Sequence, residues 1–240
     1  MSKTTVDRIN SYFFKKSKIV EITDDTFFII FEKRSELDLN CYPGQFCMIA
    51  IPESLTRKPF TLGVYDGSIS ISVKVVGNCS KYIVTADEEI DILGPLGKPF
   101  VPENENGAVL VAPSCFAEGL FISEYFNVPL FVSSKVPFKP EFIKRFESEK
   151  TTFLVGNESY LKLLNELNFS TFDWIFVSGS KIMEWLAFEH LKNKKTYLSL
   201  NEYMGCGLGA CKSCAVETVN GIKHVCTEGP VFRGDEIWKR

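Results

Sequence analysis

Two rhythms of apolar residues divide the chain. Between residues 18 and 95, short runs rich in β-branched and aromatic side chains alternate with polar turns: KIVEIT (18–23), TFFIIFEK (26–33), GQFCMIAI (44–51), PFTLGVY (59–65), SISISVKVV (68–76) and EIDILGP (89–95). In SISISVKVV, Ile69, Ile71 and Val73 alternate with Ser70, Ser72 and Lys74, the period of a half-buried strand. The Asp66-Gly67 pair before it is a tight hairpin signal. Six such strands predict an antiparallel six-stranded barrel, interrupted by one short helix near 78–85. After the polar, turn-rich PENENG (102–107) the rhythm changes. AVLVA (108–112), PLFVSS (129–134), TTFLVG (151–156), WIFVSG (174–179) and TYLSL (196–200) are continuous apolar runs. Helix-like segments separate them at 116–126, 139–148, 158–167 and 180–192, with Asn157 and Ser180 as expected N-caps. Buried strands alternating with helices predict a doubly wound parallel sheet of about five strands. The last forty residues change again: a Gly/Cys loop, a hairpin turning on Asn220-Gly221, then GPVFRGDEIW. The expected fold class is therefore β plus α/β, with a barrel over 1–103, an α/β domain over 104–200 and a small module over 201–240.

Composition narrows the function classes. Of 240 residues, 45% are hydrophobic and 24% charged, the balance of a globular chain that can bury a core. A net charge of −3 argues against a nucleic-acid partner. No apolar stretch approaches the roughly 20 residues of a membrane span. The N-terminus lacks the apolar region of a signal peptide, so a cytoplasmic location is expected.

Cysteine carries the chemistry. Cys41, Cys47, Cys79 and Cys115 are scattered among apolar neighbours and read as packing residues. The other four fall within 21 residues as Cys206-x4-Cys211-x2-Cys214-x11-Cys226. A structural zinc site usually presents paired CxxC knuckles, and only one CxxC is present. The four-residue loop before it begins the plant-type [2Fe–2S] pattern. Gly205, Gly207 and Gly209 suit that reading, because cluster sulfides need close backbone N–H donors. Zinc is the alternative. His190 reads as a helix-end residue, and His224 as a surface strand position that need not be a ligand.

EYMGCGLGACKSCAVETVNGIKHVCTEGPVF (202–232) closely resembles the cluster segment of the electron-transfer subunit of dihydroorotate dehydrogenase B, within the ferredoxin–NADP reductase superfamily. GPLGKPF (94–100) is similar to that family too, and the resemblance spans the chain in domain order. It implies a flavin-binding barrel holding FAD through Lys58-Pro59-Phe60-Thr61, preceded by Arg57. The cation would pair with the pyrophosphate, Phe60 would pack on the cofactor, and the Thr61 hydroxyl would reach the ring edge. Lys58 stands where the family usually has Arg and lacks the bidentate fork, which Arg57 is placed to supply. A second flavin element runs from Val73 and Lys74 through Gly77 and Cys79 to Ser80, where a turn and a helix N-terminus would hold the pyrophosphate.

One family element is missing. The glycine-rich loop after the first α/β strand here reads Val111-Ala112-Pro113-Ser114-Cys115-Phe116-Ala117-Glu118-Gly119, and a Cys-Gly-Pro loop reads Ser178-Gly179-Ser180. Pro113 removes a donor, Phe116 adds bulk and Glu118 sets a negative charge near the phosphates, so NAD(H) binding is expected to be weak or absent. The resemblance implies electron transfer through FAD and a [2Fe–2S] cluster, in a hetero-oligomer with an FMN-containing dihydroorotate dehydrogenase of pyrimidine synthesis. The alternatives are a subunit of another flavin/iron–sulfur oxidoreductase, or a non-catalytic redox-sensing or scaffold paralogue.

Overall fold

The structure is a computed structural model that describes residues 11–33, 41–52 and 54–239. Eight strands precede the α/β region: β1 (Ser11–Phe14), β2 (Lys16–Glu21), β3 (Thr26–Phe31), β4 (Phe46–Ile49), β5 (Lys58–Thr61), β6 (Gly63–Tyr65), β7 (Ser68–Lys74) and β8 (Ile90–Leu96). They form two four-stranded antiparallel sheets, ordered β1-β8-β4-β5 and β2-β3-β7-β6, eight strands where six were expected. The chain passes from one sheet to the other at Lys15 and at Leu62. The run 59–65 is therefore two strands, broken where Leu62 turns into the core. That core lies between the sheets and is filled by Phe14, Ile29, Phe31, Ile49, Ile71 and Val73 among others. Asp66 and Gly67, both at positive φ, make the expected two-residue hairpin turn between β6 and β7. Helix α1 (Asn78–Thr85) falls where predicted.

The alternation in β7 does not mark a solvent face. Ser70 and Ser72 are as buried as their apolar neighbours, because the first turn of α2 (Phe116–Phe126) covers them. The Ala117 backbone N–H donates to Ser72 Oγ at 2.9 Å. Gly63 permits this approach: a Cβ there would lie 2.3 Å from the Ala117 carbonyl oxygen.

The parallel sheet contains β9 (Gly107–Val111), β10 (Leu130–Ser134), β11 (Thr151–Val155), β12 (Trp174–Ser178) and β13 (Lys195–Ser199), in the order β11-β10-β9-β12-β13. Every residue of β9 is buried, as a strand covered on both faces requires. Val109 and Val111 face one core and Ala108 and Leu110 the other. The first core is aromatic and reaches into the antiparallel region, where Phe28 meets Phe116 edge-on at 5.3 Å. Helices α3 (Pro140–Phe146), α4 (Asn157–Asn168) and α5 (Lys181–His190) complete the layers. Ser180 caps α5, its Oγ accepting from the Met183 N–H. Asn157 is not a cap; Gly156, at φ +91°, holds that position.

The C-terminal hairpin pairs β14 (Ala215–Thr218) with β15 (Gly221–His224). Its turn is Val219-Asn220, one residue earlier than expected. Thr218 fixes it, Oγ1 donating to the Gly221 carbonyl and accepting from the Asn220 N–H. Beyond α6 (Val225–Glu228), β16 (Val231–Arg233) adds antiparallel to β13, and α7 (Gly234–Ile237) follows. The module is thus stitched to the parallel sheet, a tie the sequence did not announce. No helix among the described residues is long and apolar enough to cross a membrane.

Candidate redox site

The four clustered thiols arrive from two directions. Cys206 and Cys211 lie in the loop between β13 and β14, Cys214 immediately before β14, and Cys226 in α6 rather than in a strand. Pairing of Ala215 with His224 brings the hairpin ends together, and the Val225 N–H donates to the Cys214 carbonyl. The Cys214 and Cys226 sulfurs then sit 3.1 Å apart, both buried. Cys206 and Cys211 form the outer pair, with the Cys211 N–H 3.4 Å from the Cys206 sulfur. Further N–H groups donate to sulfur from Leu208 to Cys206 and from Cys226 to Cys214. Gly207 and Gly209 take positive φ to aim this backbone; Gly205 does not.

Among the described residues no three His, Cys, Asp or Glu side chains converge as one metal ion demands. Two pairs of thiols, each met by backbone donors, fit a two-iron rhomb better than a single zinc. Hydrogen bonds from Ser213, then Cys206, lower the exposed Cys211 thiol to about 6. Burial pushes Cys226 up to about 12. His224 engages Glu228, its backbone N–H donating to Oε2 at 2.7 Å. His190 sits at the end of α5 with Nδ1 2.8 Å from the Leu186 carbonyl.

The first flavin element lies on an edge strand. β5 pairs only with β4, which accommodates Pro59, and Lys58, Pro59, Phe60 and Thr61 are all half-buried. Arg57 is occupied elsewhere. It binds Asp91 through both terminal nitrogens, at 2.6 and 3.0 Å, and donates to the Met48 and Asp91 carbonyls. The expectation that Arg57 completes a phosphate fork is therefore corrected: a carboxylate on β8 already holds its guanidinium. In the second element Val73 is core, and Lys74 pairs with Asp25 at 3.2 Å. Gly77 opens α1 with Cys79 half-buried in the first turn. Ser80 Oγ accepts from the Val76 and Gly77 N–H groups, holding the turn. A free strand edge beside a helix N-terminus fits a flavin dinucleotide with an anionic pyrophosphate.

A cleft of about 540 Å³ opens at the C-terminal ends of the parallel strands, between β9 and β12 where the strand order reverses. Ala112, Pro113, Ser134, Gly156 and Ser180 line it, and Lys74 reaches it from the antiparallel region. Phe116 and Glu118 do not enter it. Phe116 is fully buried against Phe28, Phe142 and Phe146. Glu118 is fully buried behind the strands, where Ser178 Oγ donates to Oε2 at 2.8 Å and Ser199 Oγ to Oε1 at 2.7 Å. Two of the three grounds for weak dinucleotide binding thus lapse, because helix α2 turns both side chains inward. Pro113, at the start of a 3₁₀ turn, remains on the cleft wall.

Residues 201–238 match the iron–sulfur cluster binding domain of dihydroorotate dehydrogenase B. A Thermotoga maritima protein assigned as the electron transfer subunit of dihydroorotate dehydrogenase B (NAD+) is 42% identical over 222 residues, spanning 92% of this chain and 95% of its own. The chain belongs to the family of dihydroorotate dehydrogenase B electron transfer subunits. The electron transfer subunit of Listeria welshimeri is 29% identical over 90% of this chain and 94% of its own. In three dimensions the chain is similar to one from an NADH-dependent reduced ferredoxin–NADP oxidoreductase, with a TM-score of 0.80, 23% identity and coverage of 95% and 90%. The ferredoxin reductase of carbazole 1,9a-dioxygenase shares the fold at a TM-score of 0.61.

As an electron transfer subunit the chain shows one polar group that sequence reasoning misread. Burial raises the Glu118 carboxyl to about 7, against the hydrogen bonds from Ser199 and Ser178, which favour its charged form. Glu184 on α5 is raised to about 8, also by burial, and accepts from the Gly179 N–H. Only the absence of a nearby basic residue in the segment around 118 hinted at this.

Proposed function

We propose that this subunit carries FAD and one [2Fe–2S] cluster and passes electrons between an FMN-containing dihydroorotate dehydrogenase and an external acceptor. FAD and cluster together would convert two-electron into one-electron transfers. Cys206, Cys211, Cys214 and Cys226 are the proposed iron ligands. Lys58 to Thr61, with Gly77, Cys79 and Ser80, would hold and orient the flavin. Residues 1–103, 104–200 and 201–240 are the proposed flavin, nucleotide and cluster units. The observation that carries this reading is the likeness to a named electron transfer subunit over 92% of the chain, joined to the two thiol pairs of the C-terminal module.

The relatives' names specify NAD+, and the cleft at the strand reversal is where a dinucleotide would dock. NAD+ is accordingly the proposed acceptor, with Pro113 weakening but not closing the site. A hetero-oligomer in the cytoplasm fits this assignment. The test is anaerobic co-purification with the dihydroorotate-oxidising chain. The expected result is a visible spectrum of flavin plus cluster, bleached by dihydroorotate and by micromolar NADH. A flavin that dihydroorotate reduces and NADH does not would assign the electrons to a protein acceptor instead.

A further inference from the structure

The two faces of the sheet that carries the flavin motif lead to different places. Across β4 and β5, Phe46 pairs with Thr61, Cys47 with Phe60, Met48 with Pro59 and Ile49 with Lys58. Partners in such a pair share a face. Cys47 and Ile49 point into the core between the two antiparallel sheets, and Phe60 packs against that core. Phe46 and Met48 point the other way, into a second core that also holds Leu96, Met204 and two of the proposed iron ligands, Cys214 and Cys226. Pro59 and Thr61 of the flavin motif therefore lie on the sheet face that meets the cluster module.

The module is pressed onto this face at two points. Gly207, next to Cys206, approaches Met48 so closely that a Cβ on it would sit 2.7 Å from Met48 Cγ and 3.2 Å from Sδ, with Leu96 Cδ1 also at 3.2 Å. Gly207 is buried and takes φ +72°, which this approach requires. Past the last cysteine, the Gly229 carbonyl accepts from the Lys98 N–H at 2.7 Å and the Pro230 carbonyl from the Leu200 N–H at 3.0 Å. These bonds tie the module to the end of β8 and to the end of β13, so the contact at Met48 is held from both sides. Met48 is fully buried, and its unbranched thioether fills the gap between strand and loop.

We propose that Met48 is a positioning residue: its side chain seats the cluster loop on the flavin-bearing strand and joins the two cofactors through one packed contact, from Pro59 across Met48 to Gly207 and Cys206. This rests on the reading that FAD lies along β5 and that the four thiols hold the cluster. Met48 neither gains nor loses an electron. The transfer it supports oxidises the reduced flavin by one electron and reduces the cluster by one, or runs in reverse. Packed interiors leave few voids, and electron transfer weakens more steeply across a void or a water layer than across packed atoms. The same side chain keeps water from the Cys206 side of the loop. An apolar shell of this kind holds a cluster's potential down, because it disfavours the added negative charge.

The experiment reduces the flavin of the intact complex with a photochemical donor in a flash and follows the cluster by its visible absorbance. Flavin and iron content are measured in every variant, and the cluster potential by redox titration. Met48→Ala should slow the transfer several-fold and raise the cluster potential. The two effects oppose each other: a higher potential favours transfer to the cluster, so a slower transfer is the mark of the lost contact. Met48→Leu, of nearly the same volume, should restore both. Leu164→Ala, a truncation in the same core on α4, should cost stability and change neither. If Met48→Ala does not retain both cofactors, Met48→Val, which removes less, decides on the same readouts. Transfer at the wild-type rate in the truncated variant, with both cofactors bound, would overturn the proposal. Wild-type protein lacking flavin or iron would instead overturn the reading on which it rests, and the content analysis tells the two failures apart.

Discussion

The thiols of the C-terminal module and the buried Glu118 carboxyl group, held by Ser178 and Ser199, are built in opposite ways. Three of the four thiols lie within one nine-residue loop, and the outer pair faces solvent. Their geometry comes from local backbone: positive φ at Gly207, Gly209 and Lys212, and N–H groups turned toward sulfur. The carboxylate network has no local logic. Glu118, Ser178 and Ser199 come from α2, β12 and β13 and meet only where the helix packs on the parallel sheet. A site made by spacing can be tuned or lost one residue at a time. A site made by packing rises and falls with the interface that encloses it.

The sharpest way to break the comparison is to remove a ligand. Cys226→Ser should take the chain from about two irons to none, on the [2Fe–2S] assignment. Cys115→Ser, beside the carboxylates, should leave iron content intact. Iron and sulfide analysis of anaerobic preparations reads both, and iron retained in Cys226→Ser would remove that cysteine from the ligand set.

A single methyl group should test the packed site. A Cβ on Gly63 would meet the Ala117 carbonyl oxygen at 2.3 Å and Ser70 Oγ at 2.9 Å, with no flexible side chain able to yield. Gly63→Ala should destabilise the protein by about 1–3 kcal/mol, the usual cost of overpacking. It should also loosen the Ala117–Ser72 hydrogen bond while the thiol loop keeps its iron. Urea unfolding with parallel iron analysis measures both.

Proton linkage separates the regions more finely. A carboxyl raised from an ordinary value near 4.5 to about 7 binds its proton more tightly folded than unfolded. Stability is then highest below pH 4.5 for this group and falls as pH rises through 7. The loss attributable to Glu118 is up to about 3 kcal/mol at pH 8, by the conversion of 1.36 kcal/mol per unit. Glu118→Gln should flatten the decline between pH 5 and 8, followed by chemical unfolding of the flavin-free protein. An unchanged slope would mean that another group carries it.

These contrasts explain what could be read in the residues. The cluster was legible because the C-x4-C-x2-C spacing is itself the geometry. The parallel strands were legible because continuous apolar runs have few other uses. Ser70 and Ser72 misled, because the helix N-terminus that covers the strand buries both hydroxyls, and only Ser72 accepts a hydrogen bond from it. Phe116 and Glu118 misled for the same reason: helix phase, set by Gly63 and Ala117 in contact, turned them inward. The division of 59–65 into β5 and β6 was hidden because only Gly63 marks it, in a run that is otherwise mostly apolar and aromatic.

The smallest expected effect concerns two adjacent cations that sequence could not rank. Arg57 and Lys58 both precede the flavin motif, yet the Arg57 guanidinium is spent on Asp91 and two carbonyls, whereas Lys58 Nζ has Thr56 Oγ1 at 3.4 Å. A charge-assisted bond to a phosphate contributes about 1.5–3 kcal/mol, at least about tenfold in affinity. Lys58→Ala should therefore weaken FAD binding about tenfold with little change in unfolding. Arg57→Ala should do the converse: it leaves Asp91 half-paired beside β4, costs stability by about 1–2 kcal/mol, and shifts flavin affinity less than threefold. Flavin titration alongside urea unfolding distinguishes them. A larger flavin defect in Arg57→Ala would show that the Asp91 pair orients the motif, drawing the flavin edge into the class of sites made by packing.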